Sequence, residues 1–148
     1  MTNLHRRIRF DLPVYTFDID FNGHVSNIVY VRWMEIGRIK LLEAVGMPPA
    51  KIAEKGFGPV LTETHISYKH PLRLSDTVVA ELWLSELAHA SAWMEFRFFS
   101  GGGILAASGR QKGLFIQFDT GRPRKLSLEE RALFEPYLDT GQSLGNID

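Results

Sequence analysis

One segment with the period of a helix, set among segments with the period of a strand, most constrains what this chain can fold into. Between Ile28 and Val45, at 100° per residue, Tyr30, Trp33, Met34, Leu41, Ala44 and Val45 share one arc. Arg32, Glu35, Arg38, Lys40 and Glu43 share the other, which predicts a helix of about five turns. Ile36 and Ile39 fall among the charges, so this helix is expected to touch protein on more than one side. Gly46 supplies the stop, and Pro48 and Pro49 prevent continuation. Elsewhere the apolar residues alternate. Ile8, Phe10, Leu12 and Val14 predict a first strand within Arg7 to Tyr15, its end demoted to an edge or bulge by Pro13. After a Gly-rich connection (Gly56, Gly58, Pro59) four more strands are expected: Val60 to Tyr68, Thr77 to Leu87, Ala90 to Phe99 and Ile104 to Phe118. The middle pair reads as a hairpin around Ala88 and His89, with Val78, Ala80, Leu82 and Leu84 facing the same way as Ala92, Met94, Phe96 and Phe98. Gly101 to Gly103 break the chain, and Gly109 and Gly113 are expected bulges. Ser127 and Glu130 have capping-box spacing, so a short helix should start there and end before Pro136, leaving a frayed tail from Gly141 to Asp148.

This order implies an α+β fold, a mostly antiparallel sheet curved around one long central helix. A single sheet leaves edges and a face uncovered, so a homodimer or homotetramer is expected. At 148 residues, with 45% of them hydrophobic, the chain buries roughly 70% of its unfolded surface, which fits one domain spanning 1–148. Seventeen Lys and Arg balance seventeen Asp and Glu, which argues against a duplex nucleic-acid binder, and no apolar run approaches the ~20 residues of a membrane span. Without cysteine there are no disulfides, thiolate metal sites or thiol nucleophiles, a composition compatible with a reducing cytosol. Arg6, Arg7 and Arg9 precede no apolar stretch of signal-peptide length, so a cytoplasmic location is expected.

Functional groups are densest from Asp18 to Asn27, where Asp18, Asp20, Asn22, Gly23, His24, Ser26 and Asn27 fill the turn between the first strand and the helix. A helix start presents unpaired N–H groups with partial positive charge, suited to an oxyanion, and a carboxylate beside it can attack a carbonyl or activate water. The same residues are also ordinary turn and cap residues. Asp18, Asp20, Asn22 and Gly23 occupy positions 1, 3, 5 and 6 of a calcium loop, but position 12 is Val29 where a bidentate Glu is needed. Gly101, Gly103 and Ala106 spell a relaxed dinucleotide fingerprint without the helix it requires. His65 and His70 lack an obvious third ligand for zinc. Trp33, Met34 and Phe57 are candidates for an acyl pocket, set against the more common role of such residues as core.

The cluster resembles that of the hotdog-fold acyl-CoA thioesterases of the 4-hydroxybenzoyl-CoA thioesterase type. The matching pieces are Asp18-Ile-Asp20, Gly23-His24-Val25, Asn27 and Tyr30-Val-Arg-Trp33-Met-Glu35. Downstream, Ile66-Ser-Tyr68 with Pro71 and Asp76, and Phe118-Asp119-Thr-Gly121-Arg-Pro123, extend the resemblance over nearly the whole chain. It implies a central helix wrapped by an antiparallel sheet, a dimeric unit and an active site at the subunit interface. It also implies hydrolysis of an acyl or aroyl thioester, most simply of CoA, with no metal or redox cofactor. By the same resemblance Asp20 is the nucleophile or general base and the backbone N–H near Asn27 polarises the carbonyl. His24 supports the loop or orients water, and Asn22 meets substrate. Asp20, Asn22 and His24 further resemble the Asp-x-Asn-x-His pattern of plant acyl-carrier-protein thioesterases, whose downstream Glu has no counterpart here. CoA phosphates would be met by surface cations, with Arg110 and Lys112 as candidates. A catalytically silent acyl-CoA-binding protein is the alternative from another functional class.

Overall fold

A computed structural model describes residues 5–141; the expected fraying of the tail lies almost wholly outside them. The chain runs β1 (Ile8–Leu12), α1 (Asn27–Ala44), α2 (Pro49–Lys55), β2 (Phe57–Tyr68), β3 (Val78–Leu87), β4 (Ser91–Ser100), β5 (Leu105–Gln117) and α3 (Leu128–Phe134), with single 3-10 turns at Thr16–Asp18 and Glu135–Tyr137. The five strands form one antiparallel sheet in the order β1-β3-β4-β5-β2. Among the described residues no helix is long and apolar enough to cross a membrane.

The expected alternation is realised on β3 and β4. Val78, Ala80, Leu82 and Leu84 are buried on the same side as Ala92, Met94, Phe96 and Phe98, and α1 packs there with Tyr30 and Trp33 against Phe98. The opposite face is not left bare. Trp83 is covered by Arg7, whose guanidinium carbon lies 3.9 Å from the ring centroid, and by Arg97 at 5.1 Å, while the buried Glu81 pairs with Arg7 and Arg9. Those two arginines hold the Glu81 carboxyl below its ordinary range against the desolvation that would raise it.

Several boundaries differ from the sequence expectation. Strand β1 stops at Leu12, one residue before the proline that removes a ladder donor. The connection after α1 contains a further helix, α2, with Pro49 in its first turn, where a missing N–H costs nothing. Gly58 and Pro59 are already part of β2, which tolerates proline because it is an edge strand. Gly109 and Gly113 are paired in register rather than bulged; the register breaks fall at Thr62 in β2, Ser85 in β3 and Ala106 in β5. Gly109 has a different purpose. A Cβ there would lie 2.8 Å from Met34 Cε and 3.1 Å from the His65 carbonyl oxygen, so the helix approaches the sheet closely at this point. The hairpin turn and the α3 capping box both form as expected, Ser127 Oγ accepting from the Glu130 N–H at 3.1 Å.

Gly109→Ala should therefore lower unfolding stability by about 1–3 kcal/mol through overpacking. Gly113→Ala, whose Cβ would meet neighbours at 3.7 Å, should not. Chemical denaturation of both variants checks this pair of expectations.

Candidate active site

The loop before α1 is held from three sides by backbone bonds. Ile19 pairs with Val25, the Val25 N–H donates to the Leu72 carbonyl at 2.7 Å, and the Ser26 N–H donates to the Asp18 carbonyl at 2.8 Å. Between these ties the chain reverses. The Asp20 N–H reaches the His24 carbonyl at 2.8 Å, the Gly23 N–H reaches the Asp20 carbonyl at 3.0 Å, and Gly23 sits at φ 79°, where only glycine is unstrained.

The two aspartates of the loop have different fates. Asp18 is buried, its Oδ2 accepting the Tyr15 N–H at 2.9 Å and its Oδ1 lying 3.8 Å from Arg32, so it fixes the loop. Asp20 is half-buried and turns Oδ1 onto two backbone donors, Asn22 N–H at 2.9 Å and His24 N–H at 3.2 Å. Its Oδ2 makes no hydrogen bond among the described residues.

Asp20, Asn22, His24 and Asn27 line one cavity of about 340 Å³ together with Tyr30 of α1 and Tyr68, Lys69 and His70 at the end of β2. Ser26 precedes the helix but gives it no side-chain cap; its carbonyl accepts from the Val29 N–H at 3.0 Å, and among the described residues the Asn27 N–H makes no hydrogen bond. The Tyr68 hydroxyl donates to the Asn27 carbonyl at 3.4 Å, and its ring meets Tyr30 edge-on at 5.3 Å. Burial pushes the Tyr30 phenol up to about 12, with smaller contributions from Tyr68 and Asp76, and burial also raises Tyr68.

The other sequence candidates stand apart from this cavity. Trp33 is buried against Tyr30 and Phe98, and Phe57 is buried beneath the Arg124 guanidinium at 3.6 Å, so both are core residues of the single chain. Arg110 and Lys112 alternate with the helix-facing Gln111 and so project from the other side of the sheet. There Arg110 pairs with Glu95 at 3.2 Å, and both lie over Trp93. His65 pairs with Glu63, also away from the cavity. Tyr68, Lys69 and His70 were not singled out by sequence as partners of the Asp20 loop, since long-range ties, Val25 to Leu72 and Tyr68 to Asn27, bring them there. The Ile66-Ser-Tyr68 and Pro71 pieces were the available signal. Among the described residues no group of three or more His, Asp or Glu side chains is arranged to hold a metal ion.

The sequence profile of the thioesterase-like superfamily matches residues 14–136. A Bacillus subtilis (strain 168) protein, YneP, which carries a provisional acyl-CoA thioesterase name, is 23% identical over 113 residues, covering 76% of this chain and 82% of its own. The chloroplastic acyl-acyl carrier protein thioesterase ATL3 of Arabidopsis thaliana is 26% identical over 132 residues, covering 86% of this chain and 67% of its own. Among solved structures, a Thermus thermophilus thioesterase complexed with coenzyme A and Zn superposes with a TM-score of 0.74 at 28% identity, over 86% of this chain and 90% of that one.

Tyr30 gives the site a signature at high pH. Its folded pKa lies above the unfolded value near 10, so the stability it contributes is complete below pH 10 and is lost as pH rises through about 12. The unfolding stability of the wild type should fall over that window by about 2–3 kcal/mol more than that of Tyr30→Phe, as chemical denaturation at each pH would show.

Proposed function

The chain belongs to the thioesterase-like superfamily, and from that membership and the geometry around Asp20 we propose that it hydrolyses an acyl-CoA or aroyl-CoA thioester to the free acid and CoA. Thioester hydrolysis is the activity at family level. The finer assignment rests on one observation: a carboxylate pinned through a single oxygen, with its second oxygen uncommitted, shares a cavity with the uncapped start of an 18-residue helix.

In this reading the Asp20 carboxylate attacks the thioester carbonyl carbon or takes a proton from a water that does so. Charge develops on the carbonyl oxygen, and the N–H at Asn27, aided by the partial positive charge of the helix start, is the donor aimed at it. The carbon–sulfur bond then breaks, the sulfur leaves as the thiol of CoA, and water supplies the hydroxyl of the acid. His24 orients water beside Asp20, and Asn22 contributes both its N–H to the carboxylate and its side chain to the cavity rim. Tyr68 steadies the Asn27 peptide through its carbonyl. Lys69 lines this cavity and so joins Arg110 and Lys112 as a candidate cation for CoA phosphates, with His70 beside it as a hydrogen-bonding group. None of these steps calls on a metal or redox cofactor. An acyl-carrier-protein thioester is the second reading, favoured by the resemblance to ATL3.

We also propose that the working unit is a homodimer, in the cytoplasm. Strand β2 is twelve residues long and, among the described residues, pairs only with β5, leaving Val60 and Leu61 exposed at its other edge. Long open edges of this kind invite a second strand. Two copies joined antiparallel about the midpoint of β2 set Pro59 of one opposite Ile66 of the other, two residues or ~7 Å from Tyr68. Light scattering should find a dimer or a multiple of it; a stable, active monomer refutes the arrangement.

Asp20→Asn keeps the shape and the backbone bonds but removes the carboxylate. It should lower kcat by at least ~10² with KM nearly unchanged, whereas Asp18→Asn should cost far less activity. Thiol release from a panel of acyl-CoA and aroyl-CoA substrates measures both. Near wild-type turnover by folded Asp20→Asn refutes the assignment, and binding without hydrolysis by the wild type makes the protein an acyl-thioester binder.

A further inference from the structure

A second cavity, of about 210 Å³, lies between the later turns of α1 and the sheet. Leu42, Leu61, Leu84, Met94, Phe115 and Phe134 make it largely apolar, and Gly113 leaves room in its wall. Only two charged side chains line it, Glu35 and Arg38. Arg38 is half-buried, and one of its five donors is spent on a neutral acceptor, the Oε1 of Gln111 at 2.8 Å. Gln111 is fully buried and passes its amide N–H to Thr64 Oγ1 at 3.1 Å, so the guanidinium is held from behind by a satisfied relay. Among the described residues Arg38 has no carboxylate within ion-pair distance.

A guanidinium that loses part of its water without gaining a counter-ion is costly unless something else accepts from it. Burial indeed disfavours its charge, lowering its pKa, while Glu35 acts in the opposite sense from beyond contact distance. An apolar cavity with one under-used donor group fits a ligand that is mostly hydrocarbon with an oxygen at one point. The nearby Glu35 carboxylate opposes an anion there, so the fitting oxygen is neutral.

We infer that Arg38 is a specificity-determining residue, reading a neutral oxygen, hydroxyl or keto, at the far end of the acyl group. This rests on the thioesterase reading and on the β2-edge dimer. Pro59 and Leu61 belong to this cavity and Tyr68 to the catalytic one, at opposite ends of β2. Within one chain the two ends are far apart, Leu61 to Tyr68 spanning ~23 Å. Antiparallel pairing through β2 brings the Pro59 end of one copy beside the Tyr68 end of the other, with both helices on the same side of the joined sheet. The acyl group of a thioester held at Asp20 then enters the α1–sheet cavity of the second copy.

The test is calorimetric binding of thioether analogues of acyl-CoA, in which a methylene replaces the carbonyl, from butanoyl to octanoyl length, each plain, ω-hydroxyl or ω-carboxyl. At one length or more the wild type should bind the hydroxyl form about tenfold tighter than the plain form. Arg38→Gln, which keeps an amide donor for Gln111, should reduce that preference to about threefold or less, read as the ratio of hydroxyl to plain affinity in the same variant, and Arg38→Lys should fall between. Glu35→Gln, at an exposed position that leaves the relay intact, should improve binding of the ω-carboxyl form several-fold. No hydroxyl preference at any length, or a preference undiminished in both Arg38 variants, overturns the inference; an unchanged carboxyl affinity in Glu35→Gln overturns its restriction to neutral oxygen. Because the readout is binding, a wild type that shows the preference but hydrolyses no thioester removes the catalytic reading and upholds this one.

Discussion

The position of the first turn of α1 is the constraint on which the rest of the site depends. Two backbone bonds set it, Val25 to the Leu72 carbonyl and Ser26 to the Asp18 carbonyl, and the second works because Asp18 is itself immobilised by the Tyr15 N–H and by burial. A loop that merely connected β1 to α1 would leave the helix start free to drift. Here it is stitched to the segment after β2, so the helix start, the Asp20 carboxylate and the Tyr68 hydroxyl are tied into one hydrogen-bonded network. Packing continues the same restraint, since the Met34 Cε fills the space that a side chain at position 109 would need.

The division of labour between the two aspartates follows from this stitching. A buried carboxylate that satisfies the loop's own donors is spent on structure, and moving it would cost roughly the penalty of orphaned buried polar groups. Asp20 lies two residues further on, past the Ile19 bridge, where the chain leaves the protected ladder. It accepts the loop's N–H groups through one oxygen only, so orientation and availability coexist in one side chain. That combination is what a nucleophile or base requires, and it exists because the reversal at Gly23 folds the peptide back beneath the carboxylate.

Much of the fold was legible in the sequence because one face of β3 and β4 is buried under α1, and burial on one face writes a clean alternation. The helix was legible for the same reason. Alternation could not reveal α2, whose seven residues bury no side chain fully and so carry no periodic signature. Glycines misled where they fill a packing requirement instead of a conformational one: Gly109 in β5 reads as a bulge in one dimension and as a helix contact in three. At the site, local residues were legible and distant ones were not. Asp20, Asn22, His24 and Asn27 crowd into eight positions, whereas Tyr68, Lys69 and His70 join them through strand order and long-range hydrogen bonds. Arg110 and Lys112 show how strand parity sorts neighbours between faces. Each is one residue from Gln111, and that one step places them on the other face of the sheet.

The missing side-chain cap shows what holds the long helix. Ser26 stands at the N-cap with extended backbone angles, and serine is among the residues whose side-chain oxygen most readily accepts from the first-turn N–H groups, at a gain of about 0.5–2 kcal/mol. Ser127 takes that opportunity at α3 and Ser26 does not at α1, although α1 is the longer helix and the one that organises the core. At α1 the Val29 N–H is met instead by the Ser26 carbonyl at 3.0 Å, so the first turn closes through backbone alone. Tertiary packing of Tyr30, Trp33 and Met34 makes α1 stable without local help, which is how helices in folded proteins generally hold. The short helix α3 takes a side-chain cap; the long helix α1, anchored by its buried inner face, starts without one.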